Sequence, residues 1–470
     1  MKNFSQRVPT FLRDREGGIT GGGLIFVIVF LMVGGLAVDV SNAITQRTHL
    51  QLTADATAHS ALYVRNLELG ATEDDAKTAA VALAKENMPE SLYGNVLDAD
   101  DIEFGVWDAA TRTFSPDPDS RTAARAVARR SGGGGNEVAT YLLKFAGFTS
   151  WDVSADSVFE TYEPPCLREG FVAENMVDIQ SNNSYFKGFC LHSNDVVSLN
   201  SNNFFESGTV VSMPDLSSLE LPQSGYDTNE GLAEALRYGA MQIRLINALS
   251  EVSTVWSSGK DDMWEFIQLA ARNGQLDDIT KAKRTLNIVN GKPSNSTASS
   301  DTVEATKDLL DRNGNSGLRQ NAVNYVYCSS SSTQVSIKTV LTNVVIITNC
   351  QIQFGSGGAI EDGIIATLHT SLSSIGGSAD ARIGRNDDCA VGGGAQLVSL
   401  GGMNFASGVS IQGGQLIALK EIAFAANGDG LKGTSIISGD TVSGTSNMEM
   451  GLCGTGMEDN LTLPYFRLVQ

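Results

Sequence analysis

The hydrophobic positions of this chain change rhythm three times, and each rhythm predicts a different kind of element. From Gly17 to Val38 there are 22 uncharged residues, and their centre, Leu24 to Leu36, is almost wholly apolar. About 20 such residues in a helix cross the ~30 Å hydrocarbon layer of a bilayer, so the run predicts a transmembrane helix over 17–38. Beyond it Leu50, Ala54, Ala58, Ala61 and Leu62 recur at i, i+4, i+8, i+11 and i+12. That is one stripe of a helix continuing out of the membrane, and its small residues let another helix or a sheet approach closely.

Residues 39–162 read as a small membrane-proximal α/β domain. Thr72 with Asp75 three residues on is a capping-box start, Ala76, Ala79, Ala80 and Leu83 form a helical stripe, and Met88-Pro89 stops it. Strands are predicted over Ile102 to Trp107, Ala124 to Arg129 and Trp151 to Thr161, with a turn at Asp108-Ala109-Ala110. The glycines Gly132 to Gly135 break the chain before a short helix, Glu137 to Phe145.

From Cys166 onward short apolar runs alternate with Asn, Ser and Gly, and the pattern repeats itself. Residues 178–186 echo 198–205 at an offset of 20, 340–348 echo 359–367 at 19, and Gly408 to Ile411 with Leu416-Ile417 echo Gly433 to Ile436 with Thr441-Val442 at 25. Such periods belong to repeats that stack one upon another. The prediction is a parallel β-helix over 163–225 and 321–470, with β-branched strands facing a narrow core, Gly and Asn at the corners, and Asn laddered on Asn. A Greek-key sandwich would need antiparallel hairpins, whereas these patterns recur in one direction. Residues 226–320 read as a helical insertion whose apolar positions are Leu232, Leu236, Met241, Ile243, Ile246 and Leu249, with a polar linker from Ser294 to Ser300. The expected fold class is therefore mixed α+β: one N-terminal transmembrane helix, a small α/β domain, and a mainly-β domain with a helical insertion.

Charge narrows the partners. The net charge of −20 and pI of about 4.6 argue against nucleic acid, because neutralising phosphates needs clustered Lys and Arg. Lys2, Arg7, Arg13 and Arg15 precede the apolar run and only Arg47 follows closely, so the positive-inside bias places residues 1–16 in the cytoplasm and the body in the periplasm. A signal peptide cut after Ser41-Asn42-Ala43 competes with this reading, but Asp39 precedes that cut and the apolar stretch exceeds an ordinary h-region. Pilin-type processing fits less well, since no Glu follows Gly21-Gly22-Gly23 at the spacing pilins use.

The six cysteines form no CxxC pair, which favours disulfides in an oxidising compartment over zinc. A repeat of 20 to 25 residues brings position n over roughly n+22. That suggests Cys166 with Cys190 and Cys328 with Cys350, leaving Cys389 with Cys453.

The run Phe11-Leu12-Arg13-Asp14-Arg15-Glu16-Gly17-Gly18, the apolar segment, the exit Gly35-Leu36-Ala37-Val38-Asp39 and the continuation Leu50-Gln51-Leu52-Thr53-Ala54-Asp55-Ala56 occur in that order. Together they resemble the N-terminal module of TadG-like proteins of Tad (tight-adherence, Flp) pilus systems. In that family an Arg-rich flank, one spanning helix, an "AVD" exit and an "LQ-x-x-A-D-A-A" continuation occur together. Thr57 stands where the last Ala would be. The stretch 70–162 also resembles the membrane-proximal part of these proteins. The resemblance implies a Gram-negative inner-membrane protein that serves pilus assembly or adhesion, with other Tad proteins or pilin as partners.

No catalytic, cofactor-binding or metal residue is assigned. His49, His59, His192 and His369 form no HExxH pair and stand beside no Gly-x-Ser-x-Gly elbow. Gly132 to Gly135 lack the Gly-Lys-Ser/Thr ending of a phosphate loop. Asp39-Val40-Ser41 and Asp152-Val153-Ser154 are similar to the Asp-x-Ser-x-Ser site of von Willebrand A domains, which some TadG-like proteins carry, but both lack the second Ser. Asp311 to Gly317 alternates oxygen ligands as calcium loops do, yet Ala322 stands where an EF-hand needs Glu. Asp380, Arg382, Arg385, Asp387 and Asp388 form the densest acid/base cluster, and β-helices also house polysaccharide lyases. Three functions are therefore weighed: a non-catalytic Tad component, a membrane-tethered module binding carbohydrate or a surface, and a polysaccharide-acting enzyme resting on that one cluster.

Overall fold

The computed structural model describes residues 18–254, 262–271, 283–289, 292–294, 318, 320–328, 334–392, 394–425, 431–444 and 446–470. The charged flank 1–16, the linker residues 295–300 and the loop 311–317 lie outside them. The chain divides into two compact units, one running to Tyr162 and regaining Pro464–Gln470, the other Glu163–Leu463. The class is mixed α+β, with one N-terminal apolar helix and a mostly-strand second unit.

In the first unit α1 (Gly18–Leu67) is a single unbroken helix of 50 residues. Its first half exposes Leu24, Ile25, Phe26 and Phe30, and it is long and apolar enough to cross a membrane. Its second half buries Leu50, Ala54, Ala58, Ala61 and Leu62 against α2 (Glu73–Asn87), whose Ala76, Ala80 and Ala84 are buried in turn. Methyl-sized side chains at the contact let the helices pack closely. Helix α2 starts at Thr72, where the Asp75 N–H donates to Thr72 Oγ1 (3.2 Å) and the Thr72 N–H donates to Asp75 Oδ2 (2.9 Å).

The same half of α1 lies on an antiparallel sheet. Its strands are β1 (Ile102–Asp108), β2 (Thr113–Pro116), β3 (Ala123–Arg130) and β6 (Val153–Tyr162), in the order β2-β1-β3-β6, and the C-terminal strand Tyr465–Leu468 pairs with β6. That last strand departs from the expected domain 321–470. It fills the open edge of β6, pairing Tyr465 with Tyr162 and Leu468 with Phe159, while Arg467 bonds Glu160 and Phe466 packs edge-on to His59. The second unit is thus inserted between two neighbouring strands of the first. The helix expected over Glu137 to Phe145 is instead a hairpin, β4 (Val138–Ala139) with β5 (Ser150–Trp151), ending in a 3-10 turn at Leu143–Ala146. The amides that would propagate a helix there donate to a distant carboxylate, described below.

The second unit is built mainly from parallel strands, whose paired residues lie 19 to 32 positions apart for most neighbours and 40 apart where Lys283–Val289 meets Ala322–Cys328. Val340–Thr348 pairs with Ala359–Thr367 residue by residue at the offset of 19, and Met176–Ile179 with Val196–Leu199 at 20. The third echo is corrected: Leu416 pairs with Ile436 and Gly414 with Thr434, an offset of 20 and not 25. Gly433 corresponds to Gly413, not to Gly408. Both take left-handed backbone within their strands, with φ of +61° and +60°, as Asn343 (+53°) and Asp362 (+50°) do in theirs. Asn, Asp and Gly hold this conformation at least cost.

The order of strands in space is not the order in the chain. Leu431–Ser438 lies beside Gly170–Ala173, pairing Ser435 with Gly170, so the residues after 321 come first in the stack and those after 163 complete it. From Leu236–Tyr238, which pairs with Val210–Met213, the chain must therefore return past ten strand steps, roughly 48 Å, to Lys283–Val289, the neighbour of Ala322–Cys328. Helices Arg244–Ser250 and Asp262–Ala270 lie on that path. Asn194 bonds both backbone groups of Met241, and the Thr462 N–H donates to the Ala270 carbonyl. The expected insertion 226–320 is accordingly only partly helical, because Leu236–Tyr238 and Lys283–Val289 are strands of the stack.

Inside, aromatic rings and amides align across repeats. Tyr185 stacks on Phe205 (4.9 Å between centroids) and Phe405 on Phe424 (5.6 Å). Asn183, Asn203 and Asn229 are buried one above another: Asn183 Nδ2 donates to Asn203 Oδ1 (3.0 Å) and Asn203 Nδ2 to Asn229 Oδ1 (3.2 Å). Asn203→Ala breaks this ladder and leaves buried polar groups without partners, a loss of about 1–3 kcal/mol. Urea unfolding of the full chain in detergent is expected to show that loss and almost none for Asn404→Ala, whose side chain is exposed. Equal effects would contradict the ladder.

Candidate functional site

The site forms where α1 leaves its apolar stretch. Asp39 is buried, and its carboxylate accepts the backbone N–H groups of Tyr141 (2.6 Å), Leu142 (3.0 Å) and Leu143 (2.7 Å). These are the leading amides of the hairpin's 3-10 turn, which would otherwise lack acceptors. Burial alone would raise the pKa of Asp39. The amides of Leu143, Tyr141 and Leu142, with the charge of Lys144, outweigh it and hold the carboxyl below its usual range.

Two further ties hold the hairpin to α1. One turn before Asp39, Gly35 is buried against the same turn, and a Cβ there would lie 2.9 Å from Leu142 Cβ. Two turns after it, Gln46 Oε1 accepts from Arg130 Nη1 (2.8 Å), and Arg130 Nε also donates to the Asn136 carbonyl. Between α1 and the β5–β6 segment lies an open cleft of about 440 Å³, lined by Val40, Ala43, Ile44 and Arg47 on one side and Trp151, Asp152, Val153 and Ser154 on the other.

Both Asp-x-Ser segments are thereby accounted for, since Asp39 binds amides and Asp152 Oδ1 accepts the Gly132 N–H (2.8 Å). The glycine run uses its amides internally or on Asp152. The Ser131 N–H donates to Asn136 Oδ1, and the amides of Gly134 and Gly135 are used within the turn. Of Asp380, Arg382, Arg385, Asp387 and Asp388, only Arg385 and Asp387 approach each other, and Arg382, Arg385 and Asp388 pair instead with residues of neighbouring strands. Arg385 bonds Asp362 and lies 4.0 Å from Asp387, Arg382 lies 3.9 Å from Glu361, and Asp388 bonds Lys432. His192 is buried between Ser212 Oγ (2.7 Å) and Asn194 Oδ1 (3.1 Å), and burial pushes its pKa down. Among the described residues no group of three or more His, Cys, Asp or Glu is placed to hold a metal. Cys166–Cys190, Cys328–Cys350 and Cys389–Cys453 are disulfides, with Cα atoms 5.0, 5.4 and 5.6 Å apart.

The sequence reading missed Asp39 as a backbone acceptor and missed the hairpin it holds. The available signal was a lone carboxylate directly after a membrane-length apolar run, where an unpaired charge is costly.

A helix long and apolar enough to cross a membrane is thus bracketed to an α/β unit and followed in the chain by a parallel-strand body. Family models agree along the chain. Residues 17–73 match the Flp pilus-assembly TadE/G-like family and residues 56–158 the Tad-like Flp pilus-assembly family, so the N-terminal module is TadG-like. Residues 170–454 match the domain of unknown function DUF7867, and the chain belongs to that family. A search of curated proteins finds no match. Among solved structures, the competence-associated pilin ComZ from Thermus thermophilus is similar at 10% identity over 79% of this chain and 87% of that one, with a TM-score of 0.31.

The lowered pKa of Asp39 fixes the sign of a pH effect. Its contribution to stability is present above the ordinary carboxylate range, near pH ~4, and is lost as pH falls through the lowered folded-state value. Asp39→Asn, which presents an NH₂ to the same amides, is expected to lower the melting temperature at pH 7, with the gap to the native chain closing in acid. A gap independent of pH, or none, would contradict the role given to Asp39.

Proposed function

We propose that the chain is a non-catalytic, membrane-anchored component of Tad-type (Flp) pilus assembly or adhesion, with residues 17–38 in the inner membrane, the N-terminus cytoplasmic and both units periplasmic. The observation that carries this reading is the Asp39 bracket inside a TadG-like module. It makes the spanning helix and the α/β unit one body, as a part that positions an assembly requires and a soluble enzyme does not. We further read the parallel strands of the second unit, with their left-handed positions and Asn ladder, as a β-helix that projects or docks. Ion pairs from Arg382, Arg385 and Asp388 to Glu361, Asp362 and Lys432 support a structural role for the Asp380–Asp388 cluster. The partners proposed are other Tad proteins or pilin, and no nucleic acid.

A second reading, a tethered module binding carbohydrate or a surface, is favoured by one feature. A cleft of about 220 Å³ on the flank of the stack is lined by Asp178, Ser198, Asn200 and Glu220 among others. Burial, then Glu220 and Glu421, raise the pKa of Asp178.

Deleting the gene is expected to abolish surface pili or adherence. A copy with Asp380→Ala, Asp387→Ala and Asp388→Ala is expected to restore them. Normal piliation and adherence in the deletion would refute the pilus role, and failure of a folded, membrane-bound triple variant to rescue would refute the structural reading of the cluster. Reporter fusions at Gly18 and Ser157 test topology, with cytoplasmic activity expected at the first and periplasmic at the second.

A further inference from the structure

The hairpin that Asp39 holds carries an exposed aromatic tip. Tyr141, Phe145 and Phe148 are 59%, 77% and 65% exposed, and Lys144 Nζ lies 5.6 Å from the Phe145 ring. Large aromatics crowded on an eight-residue tip are unusual for a surface facing only water. Their height along α1 is fixed, because Leu142 abuts Gly35, inside the last turn of the apolar run, and the amides of residues 141–143 bind Asp39, the first residue beyond it. The exposed apolar surface of α1 continues through Leu36 (54%) and Val38 (49%) to that level.

We propose that the tip Tyr141–Phe148 is a membrane-interface foot, with the rings of Tyr141, Phe145 and Phe148 entering the headgroup and upper acyl region of the bilayer that α1 crosses. This rests on the anchoring proposed above. The chemistry fits lipid: aromatic rings favour the interface, and Lys144 extends its ammonium towards lipid phosphate while its stem stays with the rings. Arg47, two turns beyond Asp39 on α1, adds a second cation on the aqueous side. One helix fixes depth but leaves tilt and rotation free, since both are set by packing and interfacial anchors. A second contact held rigidly beside the helix removes that freedom and gives the α/β unit a defined orientation on the membrane.

The test uses the full-length protein in phosphatidylcholine vesicles, with and without bromine on the upper acyl carbons, and reads tryptophan emission as the difference from the parent protein. Phe145→Trp replaces one exposed ring by another and is expected to lose emission to brominated lipid. Phe26→Trp in the span is expected to lose it as well, and Leu92→Trp, exposed on the α/β unit, is not. Phe145→Trp emission untouched by bromine while Phe26→Trp is quenched overturns the foot and assigns the aromatic tip to a protein partner or to water. If Phe26→Trp is also untouched, the anchoring reading itself fails and the foot falls with it.

Discussion

Three backbone N–H groups converge on one carboxylate at the end of the apolar helix, and the architecture of the first unit follows from that contact. The amides of Tyr141, Leu142 and Leu143 begin a 3-10 turn and have no acceptor within it, while Asp39 is buried directly after an apolar run long enough to cross a membrane, where an unpaired charge is expensive. Each satisfies the other, and charge-assisted bonds of this kind are the stronger class. Gly35 makes the approach possible, because any side chain there would meet Leu142. The link joins residues more than a hundred positions apart, so the apolar helix is tied into the folded unit.

The second unit obeys a different constraint. Parallel strands cannot be joined by tight hairpins, so each repeat needs a crossover connection, and left-handed backbone recurs within its strands at Asn343, Asp362, Gly413 and Gly433. Buried amides of Asn183, Asn203 and Asn229 bond along the stack axis, in register with the backbone ladders. Because Gly170 lies beside Ser435, the first and last repeats of the unit are neighbours. Its two ends can then continue into adjacent antiparallel strands, β6 and Tyr465–Leu468, without a long connection.

Much of this was legible where the controlling interactions are local or periodic. The apolar run, the capping box at Thr72, the strands β1, β3 and β6 and the repeats at offsets of 19 and 20 all leave marks within a few residues or one period. What failed depends on distant partners. Glu137 to Phe145 has helical composition, but the amides of Tyr141, Leu142 and Leu143 are taken by Asp39 and Val138–Ala139 pairs with Ser150–Trp151. The echo at 25 matched Gly408 to Gly433 by residue type, although the backbone requirement lies at Gly413. The order of the stack leaves no local trace, since Ser435 and Gly170 meet across most of the unit. The acid/base cluster was found as a cluster, and its role as ion pairs becomes visible only once neighbouring repeats bring Asp362 and Lys432 to it.

Hydrogen exchange at the amides of Tyr141, Leu142 and Leu143, in the full-length protein reconstituted in a bilayer, tests the central contact most directly. The Asp39 bracket predicts that these amides exchange slowly in the native chain and quickly in Asp39→Ala, while the amides of β3 stay protected in both. Fast exchange at residues 141–143 in the native protein, or protection unchanged by the substitution, would contradict it.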